Sequence, residues 1–197
     1  MKKIKFGVVG TVRGITFIKL AQAFGDDVCL YAVCETDAKR AEATMQEIPS
    51  GARIFDDYDE FLDCGINAVV LCNFFHEHAA FAIKAPDKGI HVISDTTAAP
   101  TLGDCVALCR AVERSTAKYM LGANGPYKRA LQFIRKEIRN GKLGTPFYAE
   151  AEYLHWSPNS KPYADDDMHW RHLMPGTYYN MHTLSSLMYV TETMRSA

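Results

Sequence analysis

The stretch Gly7-Val8-Val9-Gly10-Thr11-Val12-Arg13-Gly14 decides the fold. It closes an apolar run, Ile4 to Val9, and opens a segment from about Gly14 to Phe24 in which Phe17, Ile18, Ala21 and Phe24 recur at helical spacing. A glycine-rich turn between a strand and a helix aims backbone N–H groups at an anion, because the first N–H groups of the helix lack partners and its dipole favours negative charge. A full G-x-G-x-x-G counted from Gly10 places its second glycine at position 12, where Val12 puts a Cβ in the path of an approaching dinucleotide.

Outward from this turn, short apolar runs alternate with helical patterns, the signature of parallel strands joined by crossover helices. Val28 to Cys34, Ala52 to Phe55, Ala68 to Cys72, His91 to Ser94 and Tyr119 to Gly122 read as further strands, with the unbroken apolar character of strands covered on both faces. Thr36 is placed to cap a helix running toward Ile48, which Pro49 and Gly51 end. Asp57 with Glu60, and Thr101 with Asp104, read as capping boxes. A helix over His76 to Ala85 must be ended or kinked by Pro86, and Val106, Cys109 and Val112 mark the buried face of the helix that follows the fifth strand. Residues 1–122 therefore read as an α/β domain, a Rossmann-type doubly wound parallel sheet whose strand ends share one ligand-facing edge.

Residues 123–197 follow a different pattern. Tyr127, Leu131, Ile134 and Ile138 predict a helix closed by Gly141, and Phe147 to Tyr153 alternates as a strand. A polar loop with Asp165-Asp166-Asp167 follows, then an apolar helix around Thr183 to Tyr189. One strand is too few for a self-sufficient sheet, so this second, α+β domain is expected to be incomplete or to borrow structure from a partner, which leaves a homo-oligomer open. Length agrees: 197 residues at about 150 per domain make roughly 1.3 domains.

Composition excludes several classes. Apolar residues are 48 % and charged residues 23 %, an ordinary globular mixture. Lys and Arg total 22 against 23 Asp and Glu, with no basic stripe, so nucleic acid is not an expected partner. Met1 to Phe6 reaches Gly7 after too few apolar residues for a signal peptide, and no window has membrane-spanning length; a cytoplasmic protein is expected. Cys29, Cys34, Cys64, Cys72, Cys105 and Cys109 include no C-x-x-C pair and read as reduced, structural thiols.

Glu35 lies at the end of the second strand, 21 residues beyond Gly14. A carboxylate there accepts hydrogen bonds from the adenosine ribose hydroxyls and repels a 2′-phosphate, which favours NAD over NADP. Its bland alternative is a strand-end glutamate in solvent.

At Asn73-Phe74-Phe75-His76-Glu77-His78 and Gly89-Ile90-His91-Val92-Ile93-Ser94-Asp95 the sequence resembles the Gfo/Idh/MocA oxidoreductases. In that family the fourth strand ends in a T-P-N-x-x-H-like turn, and a G-K-H-V strand leads into E-K-P. Here His78 matches the turn's histidine, Gly89 to Val92 match the strand, and Asp95-Thr96-Thr97 stand where E-K-P is expected. Trp170 to His182 looks like the family's W-R segment and the helix whose histidine faces the nicotinamide, so the resemblance covers essentially the whole chain. It implies NAD-dependent hydride transfer with a sugar, cyclitol or polyol. By it, Gly10, Thr11, Val12, Arg13 and Gly14 hold the pyrophosphate and Glu35 the ribose, while Asn73, Phe74, His78, Asp95, Thr96 and Asn124 line the nicotinamide side. Arg171 lies near the cofactor, His182 serves as acid or base, and His169, Trp170 and Tyr178 line the substrate pocket.

Two departures stand out. Thr96 has no ammonium group where the family's lysine assists proton transfer, and the chain stops soon after His182, where members continue through a large sheet that forms the substrate floor and usually the dimer interface. They support a second reading, a truncated or degenerate relative that binds nucleotide weakly or acts as a non-catalytic partner. His76 with His78, and Asp165 to Asp167 with His169 and His172, carry metal-ligand chemistry, but read better as a strand-end loop and a solvated charge run; no metal is expected. Tyr178 and Tyr179 read equally as core aromatics, and His182 as a helix histidine on an apolar face.

Overall fold

The computed structural model describes residues 3–21, 23, 26–48, 51–154 and 180–192. The chain divides into two compact units, Met1–Gly122 and Ala123–Ala197.

The first unit is a six-stranded sheet with strands β1 (Ile4–Val9), β2 (Val28–Cys34), β3 (Arg53–Phe55), β4 (Ala68–Leu71), β5 (His91–Ser94) and β6 (Tyr119–Leu121). Their order is β3-β2-β1-β4-β5-β6, and every pairing is parallel. The order reverses between β1 and β4, the switch point at which open α/β sheets bind ligands. Because neighbouring side chains point to opposite faces, the apolar runs feed two cores. Val9, Val69, Leu71 and Val92 pack with Phe61, Ala82 and Leu108, whereas Val8, Leu30, Val33 and Val70 pack with Ile18 and Ala21.

Register sets the functional edge. Val9 is level with Cys34 and Leu71, Cys34 with Phe55, Leu71 with Ser94, and Ser94 with Leu121. The ladder continues one residue further: Gly10 N–H donates to Cys34 O at 3.0 Å, Asp95 N–H to Leu71 O at 2.9 Å, and Gly122 N–H to Ser94 O at 2.7 Å. Gly10, Glu35, Cys72 and Asp95 thus stand in one row where the sheet ends.

Among the described residues five α-helices connect these strands: α1 (Thr11–Ala21), α2 (Ala38–Met45), α3 (Tyr58–Leu62), α4 (His78–Asp87) and α5 (Leu102–Glu113). Helix α1 begins three residues before the expected Gly14, because Gly10 at φ +80° makes the whole turn alone. Phe24, expected on its buried face, lies outside the described residues. Asp37, not Thr36, caps α2, its side chain accepting from the N–H groups of Lys39 and Arg40. Asp57 accepts from Glu60 N–H, and Thr101 both accepts from Asp104 N–H and donates to its carboxylate, as their spacing predicts. Helix α4 accommodates Pro86 in its last turn and ends one residue later. The buried face of α5 is Leu108 and Ala111, not Val106 and Cys109, which are exposed; Val112 is partly buried against the core.

The second unit contains a 3₁₀ turn (Gly125–Tyr127), α6 (Arg129–Arg139) and α7 (Met181–Thr191). Gly141, at φ +74°, follows α6 as a left-handed stop. Arg135 lies 4.0 Å over the Tyr189 ring and donates to Glu192 at 3.0 Å, bracing α6 on α7. The strand expected over 147–153 is absent: residues 144–154 have no regular structure, and Phe147 is fully exposed. A strand needs a neighbour to satisfy its N–H and C=O groups, and among the described residues of this unit there is no other strand. Among the described residues no helix is long and apolar enough to cross a membrane.

Candidate functional site

The turn from β1 into α1 is built for close backbone approach. A Cβ at Gly10 would lie 2.7 Å from the amide nitrogen of Asn73 and 2.7 Å from Cys72 O, so only glycine lets the β1 and β4 ends meet there. A Cβ at Gly14 would lie 2.5 Å from Val8 Cγ1, so this glycine lets α1 sit down on β1. Val12 falls in the first helical turn with its side chain in solvent, 69 % exposed.

Glu35 is buried, and both carboxylate oxygens are engaged. Oε2 accepts from Thr11 N–H at 2.9 Å and from the Thr11 hydroxyl at 2.6 Å, while Oε1 accepts from Asp37 N–H at 3.1 Å. It therefore holds the first N–H of α1, where a helix start favours negative charge. A carboxylate has about four acceptor positions, so these three bonds leave room on Oε1 for one further donor. Cys72, in this row, and Cys34, just before it, are buried thiols pushed up to about 12, by burial first and then by Asp95 and Glu35 respectively.

On the other side of the switch point, Arg13 Nε donates to Asp95 Oδ2 at 2.8 Å, joining α1 to the loop after β5. Thr96 is partly buried beside it. The loop after β4 is held by His78, whose Nδ1 lies 2.8 Å from Thr97 O and whose Nε2 lies 3.1 Å from Asn73 O. His78 is 1 % exposed, and burial lowers its pKa despite the two carbonyls and nearby Asp95 and Glu77. The resemblance placed His78 against the cofactor; the structure places it beneath the loop, with both ring nitrogens engaged by backbone. Phe74 is exposed at this edge and its ring stacks on His76 at 5.9 Å, whereas Phe75 is core.

Three polar atoms on this edge are buried without a hydrogen-bond partner: Asn73 Oδ1, His76 Nδ1 and Thr97 Oγ1. Buried groups of this kind are rare in folded proteins, and here they lie on the loops after β4 and β5, to one side of the switch point. With the close approach at Gly10 and the open position on Glu35, they fit a dinucleotide that hydrogen-bonds along the edge. Thr97, in the third position of the E-K-P-like segment, and Glu77, which accepts from the Asn73 amide at 3.0 Å, were not among the sequence candidates. Thr97 could have been found by extending that match one residue.

In the second unit, His182 is partly buried in the first turn of α7, and its ring stacks on Tyr153 at 4.6 Å between centroids. Asn124 is exposed and precedes the 3₁₀ turn. His169, Trp170, Arg171 and Tyr178, with Asp165 to Asp167 and His172, lie outside the described residues. No group of three or more His, Cys, Asp or Glu among the described residues is placed to hold a metal ion.

Comparison with known proteins agrees with this geometry. A 28 % identical structure, the WlbA dehydrogenase from Bordetella pertussis in complex with NADH and UDP-GlcNAcA, superposes with a TM-score of 0.66 over 72 % of this chain and 41 % of that one. A D-apiose dehydrogenase from Paraburkholderia graminis is 26 % identical over 129 residues, covering 65 % of this chain and 34 % of the relative. An inositol 2-dehydrogenase from Salmonella paratyphi B is 22 % identical over 157 residues, 78 % of this chain and 47 % of the relative. The chain thus spans less than half the length of these relatives. Residues 4–123 match the profile described as oxidoreductase family, NAD-binding Rossmann fold. The chain belongs to this Gfo/Idh/MocA oxidoreductase family.

Proposed function

We propose that residues 1–122 form the NAD-binding domain of an oxidoreductase that exchanges a hydride with a sugar, cyclitol or related polyol, and that residues 123–197 contribute part of its substrate domain. The observation that carries this reading is the single row of Gly10, Glu35 and Asp95 at the sheet end, flanked by the unpartnered polar atoms of Asn73 and Thr97. The relatives named apiose and inositol dehydrogenases support the substrate class. When bound, the nicotinamide supplies the hydride chemistry. The chain's own residues bind and orient: Gly10 allows close approach, Glu35 takes one ribose hydroxyl, and the loops after β4 and β5 hydrogen-bond the other end.

Glu35 favours NAD over NADP, because a 2′-phosphate would meet a buried carboxylate. In the second unit His182 is the proposed acid or base, held by its stack on Tyr153. Arg171, His169, Trp170 and Tyr178 keep the cofactor and substrate roles that the resemblance implies. Six free cysteines suit a reducing, cytoplasmic compartment.

Calorimetric titration with NAD, NADH and NADPH tests the reading. Micromolar binding of NAD or NADH, about −8 kcal/mol, with weaker NADPH is expected. Absence of binding to either NAD form overturns it. Turnover is then followed by NADH absorbance over a polyol panel, and His182→Ala is expected to abolish it.

A further inference from the structure

We propose that His78 is a positioning residue: it ties the loop after β4 to the loop after β5, and its protonation sets whether one or both loops are held. Both ring contacts are to main-chain carbonyls, Thr97 O at 2.8 Å and Asn73 O at 3.1 Å. A carbonyl oxygen only accepts, so each contact is a hydrogen bond only when that ring nitrogen carries a proton. Neutral imidazole carries one proton and turns a lone pair toward the second carbonyl. Imidazolium, formed by taking one proton from solvent, carries two and bonds both. The ring is 1 % exposed, so solvent does little to relieve the mismatched contact.

The surroundings act on the ring in opposite directions. Burial disfavours the charged ring, while the two carbonyls, Asp95 after β5 and Glu77 before α4 favour it; burial prevails, and the ring titrates below its ordinary 6.5. Asp95 is itself paired with Arg13, and Glu77 with the Asn73 amide. At neutral pH the tie is therefore single, to one carbonyl or the other.

The two loops so tied carry Asn73 Oδ1 and Thr97 Oγ1, the unpartnered atoms on which the cofactor reading above rests. Holding both carbonyls on one ring fixes the spacing of these atoms, and freeing one lets a loop shift. Dinucleotide affinity is then expected to rise as pH falls through the His78 titration. The role is separate from proton transfer to substrate, since the ring contacts backbone alone among the hydrogen bonds it makes here.

The test is nitrogen NMR of the whole chain from about pH 5 to about pH 8, following the His78 ring and the amides of residues 73–78 and 95–97, with NAD calorimetry on the same samples. A shared midpoint below the ordinary histidine value for ring and both loops is expected, with NAD affinity rising several-fold across it. His78→Gln, which has a single donor nitrogen and no titration, is expected to flatten both profiles. A ring that titrates without both loops, a ring that does not titrate, or pH dependence retained in His78→Gln overturns the proposal. If His78→Gln fails to fold, the parent's ring and amide titration decides. If the parent binds no NAD at any pH, the cofactor reading falls while the shared midpoint still decides the tie.

Discussion

Arg13 and Asp95 form an ion pair, Nε to Oδ2 at 2.8 Å, that bridges the first turn of α1 and the loop after β5. The Arg13 side chain is 55 % exposed and that of Asp95 20 %, so solvent screens the pair and its contribution to stability is small. Its effect is expected on ligand binding instead. Arg13 is the cation nearest the glycine turn in sequence, and its pairing with Asp95 is expected to compete with a bound pyrophosphate. Arg13→Ala is expected to weaken NAD binding about tenfold, roughly 1.4 kcal/mol, and Asp95→Asn to tighten it. Calorimetry at low and moderate salt checks both; tighter binding in Arg13→Ala would mean that the pair acts only as a barrier.

Val12 tests the glycine turn itself. It is exposed on the first turn of α1 and packs on neither core. Val12→Gly is expected to tighten NAD binding while costing less than about 1 kcal/mol of stability, the helix-propensity difference. Unchanged affinity in the calorimeter would show that the side chain at this position is no obstacle.

The Thr11–Glu35 pair makes stability and cofactor choice separable. Thr11→Val removes the 2.6 Å hydroxyl bond to a buried carboxylate and is expected to cost about 1–2 kcal/mol, read as a lower urea midpoint. The proposed preference for NAD is expected to survive it, because the charge stays. Glu35→Gln is expected to narrow the gap between NAD and NADPH affinities, since it removes the charge that a 2′-phosphate meets.

How far these features could be read from sequence depends on whether they are local. β1, β2 and β5 have the bounds that their apolar runs give, because strands covered on both faces admit few polar residues. Capping by Asp57 and Thr101 is a contact over three residues and was equally legible. The face of α5 was not: apolar residues fall all around that helix, so periodicity carries little contrast to separate Leu108 from Val106. Nor could local pattern pair Thr11 with Glu35, 24 residues apart, or His78 with Thr97, 19 apart, since those contacts exist only once the strand ends align. The strand over 147–153 failed for a related reason: alternation gives a strand its faces, but a partner makes it one.

Gly14 carries the helix-on-strand contact at the site. Gly14→Ala would bring a Cβ to 2.5 Å from Val8 Cγ1, and is expected to cost about 1–3 kcal/mol by overpacking. Val8→Ala in the same chain should recover part of that loss, although alone it destabilises by leaving a cavity. A double-mutant cycle in urea reads the coupling; additive losses would mean that α1 shifts to absorb the methyl group.

His78 also predicts a pH dependence of stability, independent of any ligand. In the unfolded chain its imidazole titrates near 6.5, and in the fold burial lowers that value. Between the two values the unfolded chain binds more protons than the folded one, so stability rises with pH in that window. The contribution is complete above the unfolded value, declines as pH falls toward the folded value, and changes no further below it. Other acidic groups add slopes of their own, so the measurement is a difference: urea midpoints of the parent and of His78→Gln at matched pH. The parent is expected to lose stability relative to His78→Gln as pH drops below about 6.5, and parallel profiles would mean that the buried ring keeps an ordinary titration.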